Sequence, residues 1–159
     1  MRQPKVVILM GSESDRPVMQ KAVEVLEKFG VSCSCKALSA HRLPEQVAKF
    51  AREAESNGVE VLIGAAGMAA HLAGALAANS ILPVIGVPVS NGSLNGMDAL
   101  LATVQMPPGI PVATVAIDGA KNAGYLAAQI LARKDPALAE KLRAERKENQ
   151  EKLLTQFQK

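Results

Sequence analysis

The sequence predicts an α/β protein of three layers, a five-stranded parallel sheet with helices on both faces. Apolar runs of strand length alternate along the chain with segments that keep helical spacing. The runs are nearly continuous rather than alternating, as strands covered on both sides must be, which argues against a half-exposed antiparallel sheet. At 159 residues the chain is long enough to bury a substantial core as one domain.

Residues 5–10 form the first apolar run, and Gly11-Ser12-Glu13-Ser14-Asp15 then turns the chain. Pro17 suits a first helical turn, and Val18, Ala22, Val25 and Phe29 hold one helical face up to Gly30. Residues 31–38 read as the second strand, ending at Ser39. A helix opening at Leu43-Pro44 turns Val47, Phe50, Ala51 and Ala54 inward and closes near Asn57-Gly58. The third strand, 59–64, runs into Ala65-Ala66-Gly67-Met68-Ala69-Ala70-His71, and a helix of small residues follows to about Asn79. Residues 81–87 are the fourth strand, with Pro83 at its start, where a missing donor does least harm. A Gly- and Asn-rich loop over 88–96 leads to a short helix at 97–104, then to a fifth strand at 112–117 and its helix at 120–133. The expected strand order is the flavodoxin-like 2-1-3-4-5.

The fold accounts for residues 1–134, and 135–159 form a C-terminal helical extension of the same domain. Leu138 and Leu142 mark one apolar face there, residues 143–152 are polar nearly all round, and Leu153, Leu154 and Phe157 return to apolar. A helix polar in its middle and apolar at its tip has nothing to pack on locally. Fraying and docking on a neighbouring subunit are the alternatives, and docking is favoured because an apolar tip on a free tail is a solubility liability.

Apolar residues make up 48% and charged residues 21%, so the chain is globular. No apolar run nears the roughly 20 residues that span a bilayer. Met1-Arg2-Gln3-Pro4 leads straight into a strand, so no membrane partner and a cytoplasmic location are expected. A net charge of +3 with 3% aromatic residues offers neither a basic footprint nor a stacking platform for nucleic acid. Cys33 and Cys35 share one strand face, too close in sequence for easy disulfide geometry and without metal-ligand spacing, so they are expected as buried thiols.

In an open parallel sheet, ligands bind at the carboxyl ends of the strands. The first strand end brings Ser12, Ser14 and Asp15, the second Ser39, His41 and Arg42, the third Gly67 and His71, and the fourth the loop 90–96. Both histidines of the chain fall in this set. Histidine titrates at about 6.5, and arginine forks onto phosphate or carboxylate, so His41 beside Arg42 reads as a proton carrier next to an anion clamp. Gly11-Ser12 at a helix start offers backbone donors to an anion, and Asp15 can accept from vicinal hydroxyls. Ser14, Asp15 and Ser39 have an alternative role as helix caps, and His71 is equally placed for a structural role. Neither a Walker loop nor a Gly-x-Gly-x-x-Gly fingerprint is present, which disfavours nucleoside triphosphates and dinucleotides. A flavin-binding module would want aromatic residues, and the chain has no Trp and one Tyr, Tyr125.

Four separated stretches carry a family resemblance: Gly11-Ser12-Glu13-Ser14-Asp15, Ser39-Ala40-His41-Arg42, Ala66-Gly67-Met68-Ala69-Ala70-His71-Leu72, and Val104-Gln105-Met106-Pro107-Pro108-Gly109-Ile110-Pro111-Val112. Together they resemble the PurE family, the catalytic subunit of phosphoribosylaminoimidazole carboxylase. The resemblance implies homo-octamers of flavodoxin-like subunits and a mutase of purine synthesis that uses no cofactor, metal or ATP. It implies conversion of N-carboxyaminoimidazole ribonucleotide into 4-carboxy-5-aminoimidazole ribonucleotide by release and recapture of carbon dioxide. On this resemblance His41 is the general acid and base, and Ser12, Asp15 and Arg42 bind substrate. Ser14 and Ser39 lie near its phosphate, and Gly67, Ala70 and His71 belong to the substrate-binding wall. The alternative within the family is a direct carbon dioxide-dependent aminoimidazole ribonucleotide carboxylase, and the run ending at His71 favours the mutase. Met68 and Asn91-Gly92 depart from the family's usual wording and bear on pocket shape.

Overall fold

Five parallel strands in the order β2-β1-β3-β4-β5 form the middle layer of the computed structural model, which describes residues 3–157. The expected direct entry of Met1 and Arg2 into the first strand lies outside these residues. β1 (Val6–Met10) is buried along its whole length, because it pairs on both edges and is covered on both faces. Its odd and even positions feed different cores. Val6, Ile8 and Met10 pack under α1 (Arg16–Lys28) and α5 (Ala120–Ala132) with Met19, Leu26 and Ala127. Val7 and Leu9 pack under α2 (Pro44–Glu53) and α3 (Leu72–Ala78) with Val47, Ala51 and Leu76. β2 (Cys33–Ala37) is the half-buried edge, and Cys33 and Cys35 both face the α1 side as free, half-buried thiols. Burial pushes both thiols above the usual cysteine range.

Strand limits differ from expectation where small residues or prolines blur the pattern. β3 (Val61–Gly67) runs on through Ala65, Ala66 and Gly67, because β4 (Val84–Val89) continues beside it and pairs Ala66 with Pro88 and Gly67 with Val89. Ile81 and Pro83 lie before β4 rather than in it, and Ile81 is 89% exposed. Pro88 sits inside β4, beyond Gly86, the last β4 residue paired with β5, so its missing donor falls where that ladder has ended. β5 shrinks to Ala113–Thr114. The helix between them, α4, spans Met97–Val104 as expected.

The C-terminal segment is one helix, α6 (Pro136–Phe157), anchored by buried Leu138. Its polar middle does have a local partner. Glu145 accepts a 2.9 Å hydrogen bond from the Tyr125 hydroxyl and pairs with Lys28, tying α6 to α5 and α1. Leu153, Leu154 and Phe157 remain exposed beyond that tie. Among the described residues no helix is long and apolar enough to cross a membrane.

Candidate active site

β1 and β2 end level, Met10 opposite Ala37, while β3 passes Ala65 opposite Met10 and runs two residues further to Gly67, so the three following loops open at the same end of the sheet. The loops that follow enclose a cleft of about 230 Å³ lined by Ser12, Ser14, Asp15, Ser39, His41, Arg42, Gly67 and His71 among others.

The β1 loop folds as a short 3-10 turn (Glu13–Asp15) closed by a capping box. Ser12 Oγ accepts from the Ser14 amide at 3.3 Å, and Asp15 Oδ2 accepts from the Ser12 amide at 3.2 Å. Capping and site roles therefore coincide in the same side chains. Asp15 is 2% exposed, and burial raises its carboxyl above the ordinary aspartate value, opposed by hydrogen bonds from Asn91 and Ser12. The β2 loop is a turn held by Ser39, whose Oγ accepts from the Arg42 amide at 3.4 Å and whose carbonyl accepts from Leu43 at 2.9 Å. Ser39 thus caps this turn and not α2, whose first turn opens at Leu43-Pro44 without a side-chain cap. Arg42 is exposed on the cleft rim and takes part in none of the ion pairs among the described residues.

His71 ends the β3 loop at the start of α3 and makes no cap bond there. Its Nδ1 lies 2.7 Å from His41 Nε2, with the ring planes at 80°. A hydrogen bond between two ring nitrogens needs one proton between them, so one ring donates while the other accepts. His71 is therefore bonded to His41 across the cleft. Of the residues expected at the site, Ala70 alone is absent from the lining. It is 2% exposed and turned into the core, while Met68 and Ala69 face the cleft.

One contributor reaches the cleft from a distant loop. Asn91, after β4, reaches across to donate from Nδ2 to Asp15 Oδ1 at 2.8 Å. Its room comes from Gly67: a Cβ there would lie 2.8 Å from Asn91 Cβ. The two departures noted in the sequence also meet, since Met68 lies over Gly92, where a Cβ would come within 3.0 Å of Met68 Cγ. Among the described residues no group of three or more His, Cys, Asp or Glu side chains is placed to hold a metal.

A doubly wound parallel α/β protein that gathers serine hydroxyls, an arginine, a buried carboxyl and two bonded imidazoles at its strand ends has the layout of a small-molecule site. The chain belongs to the AIR carboxylase family, whose model matches residues 5–152. It is 58% identical over 145 residues to the N5-carboxyaminoimidazole ribonucleotide mutase of Pyrococcus abyssi, covering 91% of this chain and 83% of that one. The protein of the same name from Vibrio parahaemolyticus is 51% identical over 152 residues, 94% of each chain. The crystal structure of Treponema denticola PurE superposes with a TM-score of 0.87 at 31% identity, covering 96% of this chain and 95% of the other.

Proposed function

We propose that this chain is an N5-carboxyaminoimidazole ribonucleotide mutase, moving a carboxyl group from the exocyclic nitrogen of the substrate to its ring carbon. The observation that carries the reading is the His41–His71 hydrogen bond at the mouth of a cleft that also holds Asp15, Ser12 and Arg42. Cleavage of the N–C bond releases carbon dioxide, and its electron pair stays on nitrogen, which takes a proton from the His41 imidazolium. The electron-rich ring carbon then attacks carbon dioxide, forming the new C–C bond. The proton on that carbon returns to His41. The count closes: one proton is lent and recovered, and no electron is gained or lost. His71 accepts from His41 while the imidazolium exists, which keeps the ring oriented between the two transfers.

In this reading Arg42, with Ser14 and Ser39 nearby, takes the phosphate in a charge-assisted grip. Asp15 and Ser12 take the ribose hydroxyls. Ala66, Gly67 and Ala69 supply a small, apolar wall against which carbon dioxide is held at high effective concentration. Several copies assemble, the octamer being the expected form, with the exposed tip of α6 as one contact. The expected location is the cytoplasm.

The test supplies substrate with a labelled carboxylate in excess unlabelled bicarbonate and follows the label at early conversion. Retention in the product is expected. Complete washout with a bicarbonate-dependent rate would replace the mutase by a direct carboxylase.

A further inference from the structure

Two strand ends contribute no reacting group to the cleft, yet they are tied to it. Asp118, between β5 and α5, holds Ser90 after β4 with both carboxylate oxygens: Oδ1 accepts from the Ser90 amide at 2.9 Å and Oδ2 from its hydroxyl at 2.5 Å. The Asp118 amide donates to Pro88 at 2.8 Å, so the grip reaches both sides of Val89. Asp118 has φ of 56°, a left-handed backbone that aspartate tolerates better than most residues. Gly96 closes the other end of the loop, where a Cβ would stand 2.7 Å from Ile117 and 3.1 Å from the Ser90 backbone. The residue next to the clamped Ser90 is Asn91, which bonds Asp15.

We propose that Asp118, Ser90 and Asn91 form a positioning relay that fixes the Asp15 carboxylate for ligand binding from the far side of the sheet. The inference rests on the functional reading of the cleft given above. Asp15 has two fixed donors, the Ser12 amide on Oδ2 and Asn91 Nδ2 on Oδ1. With both in place the carboxylate plane cannot turn, and the second lone pair of each oxygen is left for a ligand's hydroxyls. Without Asn91 the carboxylate pivots about the Ser12 bond. Without Asp118 the loop still closes at Gly96, but nothing holds the residue before Asn91. None of the three touches the reacting atoms, so the relay governs binding and leaves the chemical step alone.

The experiment is a double-mutant cycle on the full-length protein. Asn91→Ala and Asp118→Gly are each expected to raise KM roughly tenfold, the scale of one lost hydrogen bond to a charged group, with kcat within about twofold. The double variant should be no worse than Asn91→Ala alone, since both act through one bond. Asp118→Asn, which keeps an acceptor for the Ser90 amide, should recover most of the loss. Glycine is the better residue for a left-handed backbone, so a purely conformational role would make Asp118→Gly harmless. Hydrogen exchange at the Ser12 amide is read in parallel and should quicken in Asp118→Gly. Additive losses, a wild-type-like Asp118→Gly, or an Asp118→Asn as poor as glycine would each overturn the relay. A wild-type protein without turnover would sink the mutase reading instead, and the exchange measurement would still decide the relay.

Discussion

The two ends of the sheet make opposite use of space. At the amino end, Ile81, Ile110, Pro111 and Ile130 border a groove of about 890 Å³, walled largely by apolar and small residues. At the carboxyl end the cleft is about a quarter of that size, 230 Å³, yet it holds both histidines and the buried Asp15. Size does not locate chemistry here. Parallel strands deliver successive loops to the carboxyl end, so groups distant in sequence converge there. The amino end receives the tails of α2 and α3, and what it gathers is apolar surface.

The sharpest way to break that contrast is at His41. His41→Asn should cut turnover by roughly 10²- to 10⁴-fold, the range for a general acid and base, with substrate affinity inside an order of magnitude. Turnover and calorimetry on one preparation check it, and wild-type rates would strip the carboxyl end of its proposed chemistry. Next in size is the α6 tip. Ending the chain after Lys152 removes Leu153, Leu154 and Phe157, each worth about 1.5–3 kcal/mol if fully buried in an assembly. Sedimentation should show weakened association, and an unchanged species would leave the tip a solvated appendage. The third effect has a sign set by burial. Because Asp15 titrates above its ordinary value of 3.8, the native state holds its proton at higher pH than the unfolded chain does. Its contribution to stability is therefore fullest below that value and is lost as pH rises through the raised native pKa. In urea titrations across this window, wild-type stability should fall relative to D15N as pH rises, and a difference that grows the other way would contradict the burial argument. The smallest effect belongs to the amino end. Ile81→Ser, at an exposed position, should change turnover by less than about twofold. A larger loss would join the two ends functionally.

How far the sequence could be read depended on distance along the chain. Alternating apolar runs and helical faces disclosed the layers, the strand order and the bounds of α4, because each signal is local. The strand-end rule also brought His41, Arg42, Asp15 and His71 to one place. It could not show that the two imidazoles bond each other, since that depends on how the β2 and β3 loops lean. That the Ala70 side chain is buried while Met68 and Ala69 face the cleft was not legible, because in a run of small residues no side chain announces which way it faces. Asn91 stands out in the sequence only as a departure in the loop after β4, and nothing local shows that it bonds Asp15. Its partner lies 76 residues away, and the room it occupies is left by Gly67, which is not adjacent to it. The extra length of β3 was hidden for the same reason: Ala66 and Gly67 have weak strand preference and are strands only because β4 runs beside them.

The parallel pairing of β1 with β3 has a consequence for how the protein comes into being. β1 must find β3 across more than fifty residues, Met10 opposite Ala65, before Ser12 and Gly67 can face each other. A slip of one position would turn every β1 side chain to the wrong layer and carry the loop after it out of line. During synthesis a ribosome-bound fragment that ends before Val61 therefore has the first two loops but no cleft between β1 and β3. Ligand binding becomes a reporter of the closed central sheet. In a refolding experiment it should return no earlier than burial of Ile8 and Ile63, a fully buried pair at the centre of that register.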